Sequence, residues 1–204
     1  MTMTRRTCLM VILMLAALPA VVLGITEKKT GTEYPDQITV SVGDQEVTLD
    51  ATGVGLREKT FLKVDVYTIV SYVASGADLK GDDLGLALCK LQQPKRLQMD
   101  LRRSFSREKL IHAFVEVIEK NYEDISGFAD DLQIFEGYFT RDAKDGDVII
   151  FDYAPGKGLT TTLNGEVKGV IRNPAFAEAL WSVWFGKKPA NNGLKRDLLS
   201  ALGS

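Results

Sequence analysis

The chain has 204 residues, 45% of them hydrophobic, with 25 Lys and Arg against 27 Asp and Glu and a formal net charge of −2. That length is ample for one hydrophobic core and suggests one domain. The mildly acidic balance argues against a nucleic-acid partner, because phosphate recognition rests on clustered Lys and Arg.

Near the N-terminus Arg5 and Arg6 precede an uncharged, largely apolar run from Cys8 to Leu23, closed by the small residue Gly24. This is the order of a secretory signal peptide. A membrane helix needs about 20 apolar residues. This run is shorter and contains Pro19, so the expectation is cleavage near residue 24, export, most simply to a periplasm, and no stable membrane span afterwards. A retained N-terminal anchor is the alternative. No cysteine stands at the expected cleavage point to accept a lipid. Removing residues 1–24 takes away two arginines and no acids, so 23 basic against 27 acidic residues leave −4. Cys8 leaves with the signal, and Cys89 alone cannot form an intramolecular disulfide. It sits in the apolar run Leu84–Cys89 and is expected to be a buried, inert thiol.

Residues 25–36 read as a leader into the fold, and residues 37–204 as the domain. Ile38, Val40 and Val42 alternate with polar residues, Gly43-Asp44 can turn, and Val47 and Leu49 alternate again. This predicts a hairpin. After Gly53 and Gly55, the stretch Thr60–Val73 is rich in β-branched and aromatic residues, and reads as a central strand. Its alternation places Leu62, Val64 and Val66 on an apolar face and Phe61, Lys63, Asp65 and Tyr67 on a mixed one.

A helix is expected over 78–92, then a strand from Lys95 to Arg102 with Leu97, Met99 and Leu101 on one side. Ser104 or Ser106 can cap the next helix, in which Leu110, Ile111, Phe114, Val115 and Ile118 recur at helical spacing. Another helix is expected over 126–138. Strands follow from Asp147 to Arg172, with Asn164-Gly165 as a hairpin turn. Asn173-Pro174 combines an N-cap with proline at the first helical position, opening final helices over about 174–185 and 191–202. Strands, a helix pair, more strands and then helices indicate an α+β fold, an antiparallel sheet with helices gathered on one face.

The usual signatures of chemistry are missing. One histidine, His112, cannot form a multi-histidine metal site, so neither metal nor cofactor is expected. No nucleophile elbow, P-loop or dinucleotide fingerprint is present, and Ala154-Pro-Gly-Lys-Gly158 has the wrong spacing to cradle phosphate and reads as a hairpin loop. The pairs Asp82/Asp83 and Asp130/Asp131 read as solvated surface charge. Trp181, Trp184 and Phe185 suit a core or a partner surface. Arg57 precedes the longest apolar strand. A guanidinium there can fix a carboxylate or phenolate bidentately, or simply be a surface arginine.

Three stretches resemble the chalcone isomerase family, particularly its bacterial chalcone isomerase-like members. They are Gly53-Val-Gly-Leu-Arg57, which resembles the family's glycine-arginine turn, with the long strand Phe61–Tyr72 after it, Ser104-Phe105-Ser106 opening the helix that carries His112, and the hairpin-to-helix region Asp147–Gly186 containing Asn173. The resemblance implies an open-faced β-sandwich with a ligand cleft between sheet and helices. It also implies one of two functions: cofactor-free cyclisation of chalcones, or noncatalytic binding of fatty acids. Arg57 matches the arginine that stabilises an oxyanion in the enzymes. The family's assisting threonine, tyrosine and asparagine fall at Tyr67, Phe105 and His112, so three of four polar groups differ. Losing prearranged donors costs a few kcal/mol of transition-state stabilisation, which argues against efficient chalcone cyclisation. The expected ligand-binding residues are therefore Arg57, Tyr67, Phe105 and His112, and the ligand a fatty acid or phenolic amphiphile. The alternative is a cofactor-independent isomerase, an intramolecular lyase for an enone, with Arg57 and His112 as its catalytic candidates.

Overall fold

The computed structural model describes residues 24–59 and 64–202. The expected signal sequence before Gly24, and Thr60, Phe61, Leu62 and Lys63 of the expected central strand, lie outside the described residues. The segment expected to be a leader is folded: β1 (Gly24–Thr26) pairs with β2 (Glu33–Pro35) as a small antiparallel sheet.

The main sheet has seven antiparallel strands in sequence order. They are β3 (Gln37–Val42), β4 (Gln45–Lys59), β5 (Val64–Ala74), β6 (Lys95–Leu101), β7 (Val148–Ala154), β8 (Gly158–Leu163) and β9 (Glu166–Ile171). The turns obey local chemistry. Gly43 has φ +65°, and Asn164 and Gly165 have φ +51° and +81°, the paired positive values that a two-residue hairpin turn requires. Between strands, and after the last, come α1 (Leu84–Lys90), α2 (Arg107–Asn121), α3 (Ala129–Gly137), α4 (Pro174–Phe185) and α5 (Asn192–Leu198). Ser106 caps α2 by accepting from the Lys109 amide, and Asn173 caps α4 ahead of Pro174.

All five helices bury residues in one cluster with Tyr67, Ile69, Leu97, Met99, Ile149 and Phe151 of the sheet, so they form a single layer on one face. Trp181, Trp184 and Phe185 are fully inside it and form no partner surface. A second cluster, Tyr34, Leu49, Val70 and Tyr72, lies on the other face under the β1–β2 hairpin. The central strand is thus covered on both sides, not apolar on one and mixed on the other. Tyr67 belongs to the helix-facing set with Ile69 and Val73.

Two further expectations change. Gly53–Arg57 is not a turn but the interior of β4, and its glycines serve packing. A Cβ at Gly53 would lie 2.2 Å from the Asp197 carbonyl oxygen, and one at Gly55 would lie 2.6 Å from Leu194 Cδ1, because α5 lies directly on this strand. Thr52 completes the contact by donating to the Leu198 carbonyl at 2.8 Å. The helix expected over 78–92 is only Leu84–Lys90, because Asp83 sets its start as N-cap and the chain leaves it before Pro94, which cannot continue it.

Candidate functional site

Antiparallel pairing sets Arg57 of β4 directly opposite Tyr67 of β5, on the helix-facing side of the sheet. The pair stands just before residues 60–63, at the end of the two strands. Arg57 is half-buried and donates to the Glu58 carbonyl. The Glu58 carboxylate is engaged by Lys29 instead, and among the described residues no acidic side chain forms an ion pair with Arg57.

Tyr67 is buried, and its hydroxyl oxygen accepts the indole N–H of Trp184 at 3.0 Å. Because a phenol both accepts and donates, the Tyr67 proton still has its donor capacity. Burial pushes this phenol up to about 12, outweighing the Trp184 hydrogen bond and the Arg57 charge, which both pull it down. Tyr67 is therefore a neutral donor near neutral pH. Behind it an aromatic layer extends from Trp184 to Phe114, with ring centroids 6.1 Å apart, and to Phe151 at 6.0 Å. Phe114 in turn meets Phe135 edge-on at 5.5 Å.

The other two expected residues are placed differently. Phe105 is half-buried against the core; its backbone pairs with Ala143 and its ring lies 5.5 Å from the Arg103 guanidinium carbon. His112 lies on the outer flank of α2 with 75% of its side chain exposed, and its Nε2 is 3.8 Å from a Glu116 carboxylate oxygen. Leu110, Ile111, Phe114, Val117 and Ile118 are the residues of α2 that are buried. The structure thus brings Arg57 and Tyr67 together and leaves His112 facing solvent.

Sequence reading missed Trp184 as the partner of Tyr67, since 117 residues separate them and no local pattern links a strand residue to one on so distant a helix. It also missed the environment of Lys95. This side chain is fully buried; its ammonium donates to the carbonyls of Leu88 and Cys89 at 2.9 and 2.8 Å and lies 4.8 Å from the Trp181 ring. Its parity with Leu97 and Met99 was the available signal. Cys89 is buried beside it, and burial pushes its thiol up to about 12, so it is inert as expected.

Chemically, a guanidinium beside a neutral phenol offers one charged and one uncharged donor to a carboxylate or an enolate-like oxygen. Among the described residues, no group of His, Cys, Asp and Glu side chains could hold a metal, and no helix is long and apolar enough to cross a membrane.

A family model described as chalcone isomerase-like matches residues 26–200. No curated protein sequence matches the chain. Among solved structures, the chain is similar to the crystal structure of an Arabidopsis thaliana fatty-acid binding protein, with a TM-score of 0.67 and 20% sequence identity over 87% of this chain and 96% of that chain. At that identity the likeness is one of fold. The match reaches back to residue 26 and so takes in most of the β1–β2 hairpin.

Proposed function

This chain belongs to the chalcone isomerase-like family, and from that premise we propose that it is an exported, noncatalytic protein holding a fatty acid or similar small amphipathic carboxylate between sheet and helices. The observation that carries the reading is the Arg57–Tyr67 pair: two donors set side by side by strand register, with no acidic ion-pair partner on the arginine among the described residues. The similar Arabidopsis thaliana structure is of a fatty-acid binding protein, which supports a lipid as the ligand class. Arg57 would supply the charged contact to the head group, Tyr67 a neutral one, and the apolar sheet and helix faces the lining for a tail. Export is supported by the Arg5, Arg6 and Cys8–Gly24 pattern.

The isomerase alternative draws less support from the geometry. His112 is solvated and paired with Glu116, and Phe105 has no hydroxyl to orient water or a ketone.

The test is native mass spectrometry of the purified mature protein, with release and identification of any bound molecule. Wild type is expected to carry a monocarboxylate that Arg57→Ala lacks. A protein that is empty as purified and takes up no added fatty acid overturns the proposal.

A further inference from the structure

We propose that the open face of the sheet, opposite the helices and remote from the Arg57–Tyr67 pair, carries a second binding groove for a small anionic amphiphile. A groove of about 450 Å³ lies there between the two edges of the sheet. Val40 and Val42 of β3 form one wall, and Thr162 and Val167 of the β8–β9 hairpin form the other. The two edges approach because the sheet curls: Lys157, in the turn between β7 and β8, extends to the turn between β3 and β4, where a Cβ on Gly43 would meet its Nζ at 3.1 Å. The glycine leaves room for that ammonium at the mouth of the groove.

The floor is an ion pair. Arg96 of β6 and Asp152 of β7 are cross-strand partners, and the guanidinium donates to both carboxylate oxygens at 2.6 and 2.9 Å. A guanidinium has five N–H groups, so this bidentate contact leaves donors over for a third party. Lys157 has no acidic partner among the described residues. Lys95 contributes only backbone to this face, because its ammonium is buried on the helix side. Two cations against one carboxylate, with valine walls, give a groove that complements one negative charge attached to a short apolar body. At its far end the face is closed by the β1–β2 hairpin, whose Tyr34 hydroxyl bonds Thr68 and Asp100 at 2.7 and 2.6 Å.

This groove is independent of the cleft proposed above, and the test separates them. Purified protein is titrated with decanoate while the methyl resonances of Val40, Val42 and Val167 are followed by NMR. These signals are expected to shift in wild type and equally in Arg57→Ala. In Lys157→Glu, an exposed turn position, the concentration needed is expected to rise about tenfold or more. Thr162→Trp, shown folded by circular dichroism, is expected to abolish the shifts by filling the groove. Absence of shifts at these valines, their loss in Arg57→Ala, or their persistence unchanged in Lys157→Glu overturns the proposal. Loss of bound carboxylate in Arg57→Ala with the valine shifts intact shows two sites.

Discussion

Trp184 on the last long helix donates its indole N–H to the hydroxyl of Tyr67 on the central strand at 3.0 Å, inside the buried layer between sheet and helices. The bond fixes the phenol that stands opposite Arg57, so stability and the candidate site share one contact. Tyr67→Phe leaves a buried N–H without a partner, which costs about 1–3 kcal/mol. Chemical denaturation is expected to show that loss, and Trp184→Phe added to Tyr67→Phe is expected to cost less than the sum of the two single changes.

The glycines of β4 make a graded prediction. Gly55→Ala meets the end of a Leu194 side chain, whereas Gly53→Ala meets the backbone of α5. Overpacking costs about 1–3 kcal/mol, so Gly53→Ala is expected at the upper end or beyond. Leu194→Ala should relieve part of the Gly55→Ala penalty and none of the Gly53→Ala penalty, as read from thermal or urea unfolding.

Lys95 predicts a pH dependence in the alkaline direction. Burial lowers its amine from the usual 10.5 to about 7, with Cys89 and Glu178 pulling weakly the other way. Between these values the unfolded chain binds the proton and the folded one does not, so the Lys95 contribution to stability rises with pH through this window, by at most about 1.4 kcal/mol per unit. Below about 7 both states are protonated and the slope vanishes. Measured from about pH 7 to 8.5, below the range in which unfolded Cys89 loses its thiol proton while the folded thiol keeps it, unfolding free energies should rise in wild type and stay flat in Lys95→Met.

Asp147 predicts the acid limb. Its carboxylate accepts from Arg141 twice, from Asn164 and from the Lys144 amide. Arg141 first, helped by Asn164, holds it down at about 2. The folded value is below the unfolded one near 3.8, so this stability is complete above about 4 and is lost as pH falls through 2. Arg141 is 43% exposed, so screening reduces the contribution to about 1–2 kcal/mol. Asp147→Asn is expected to lose it at neutral pH and to show a shallower acid limb in denaturation.

Much of the fold was legible because it follows from local rules. The alternation of Ile38, Val40 and Val42, the Asn164-Gly165 turn, the Ser106 cap and the Asn173-Pro174 start all act within a few residues, and each sits where expected. Of the candidate site, Arg57 and Tyr67 were named from sequence, but their pairing depends on the register of two strands, and the exposure of His112 on which flank of α2 the core covers.

The sequence by itself determined the sheet-and-helix order, the caps and turns, and the two alternating faces of each strand, since backbone geometry sets a period of two whatever lies outside. Only the tertiary structure decided what covers each face. Period alone cannot distinguish a strand solvated on one side from one buried on both. It therefore could not show that Gly53 and Gly55 admit α5, that residues 24–35 cover one end of the open face, or that Trp184 meets Tyr67. Those outcomes are contacts between segments far apart in the chain, selected by the apolar area they remove from water together rather than by any local preference.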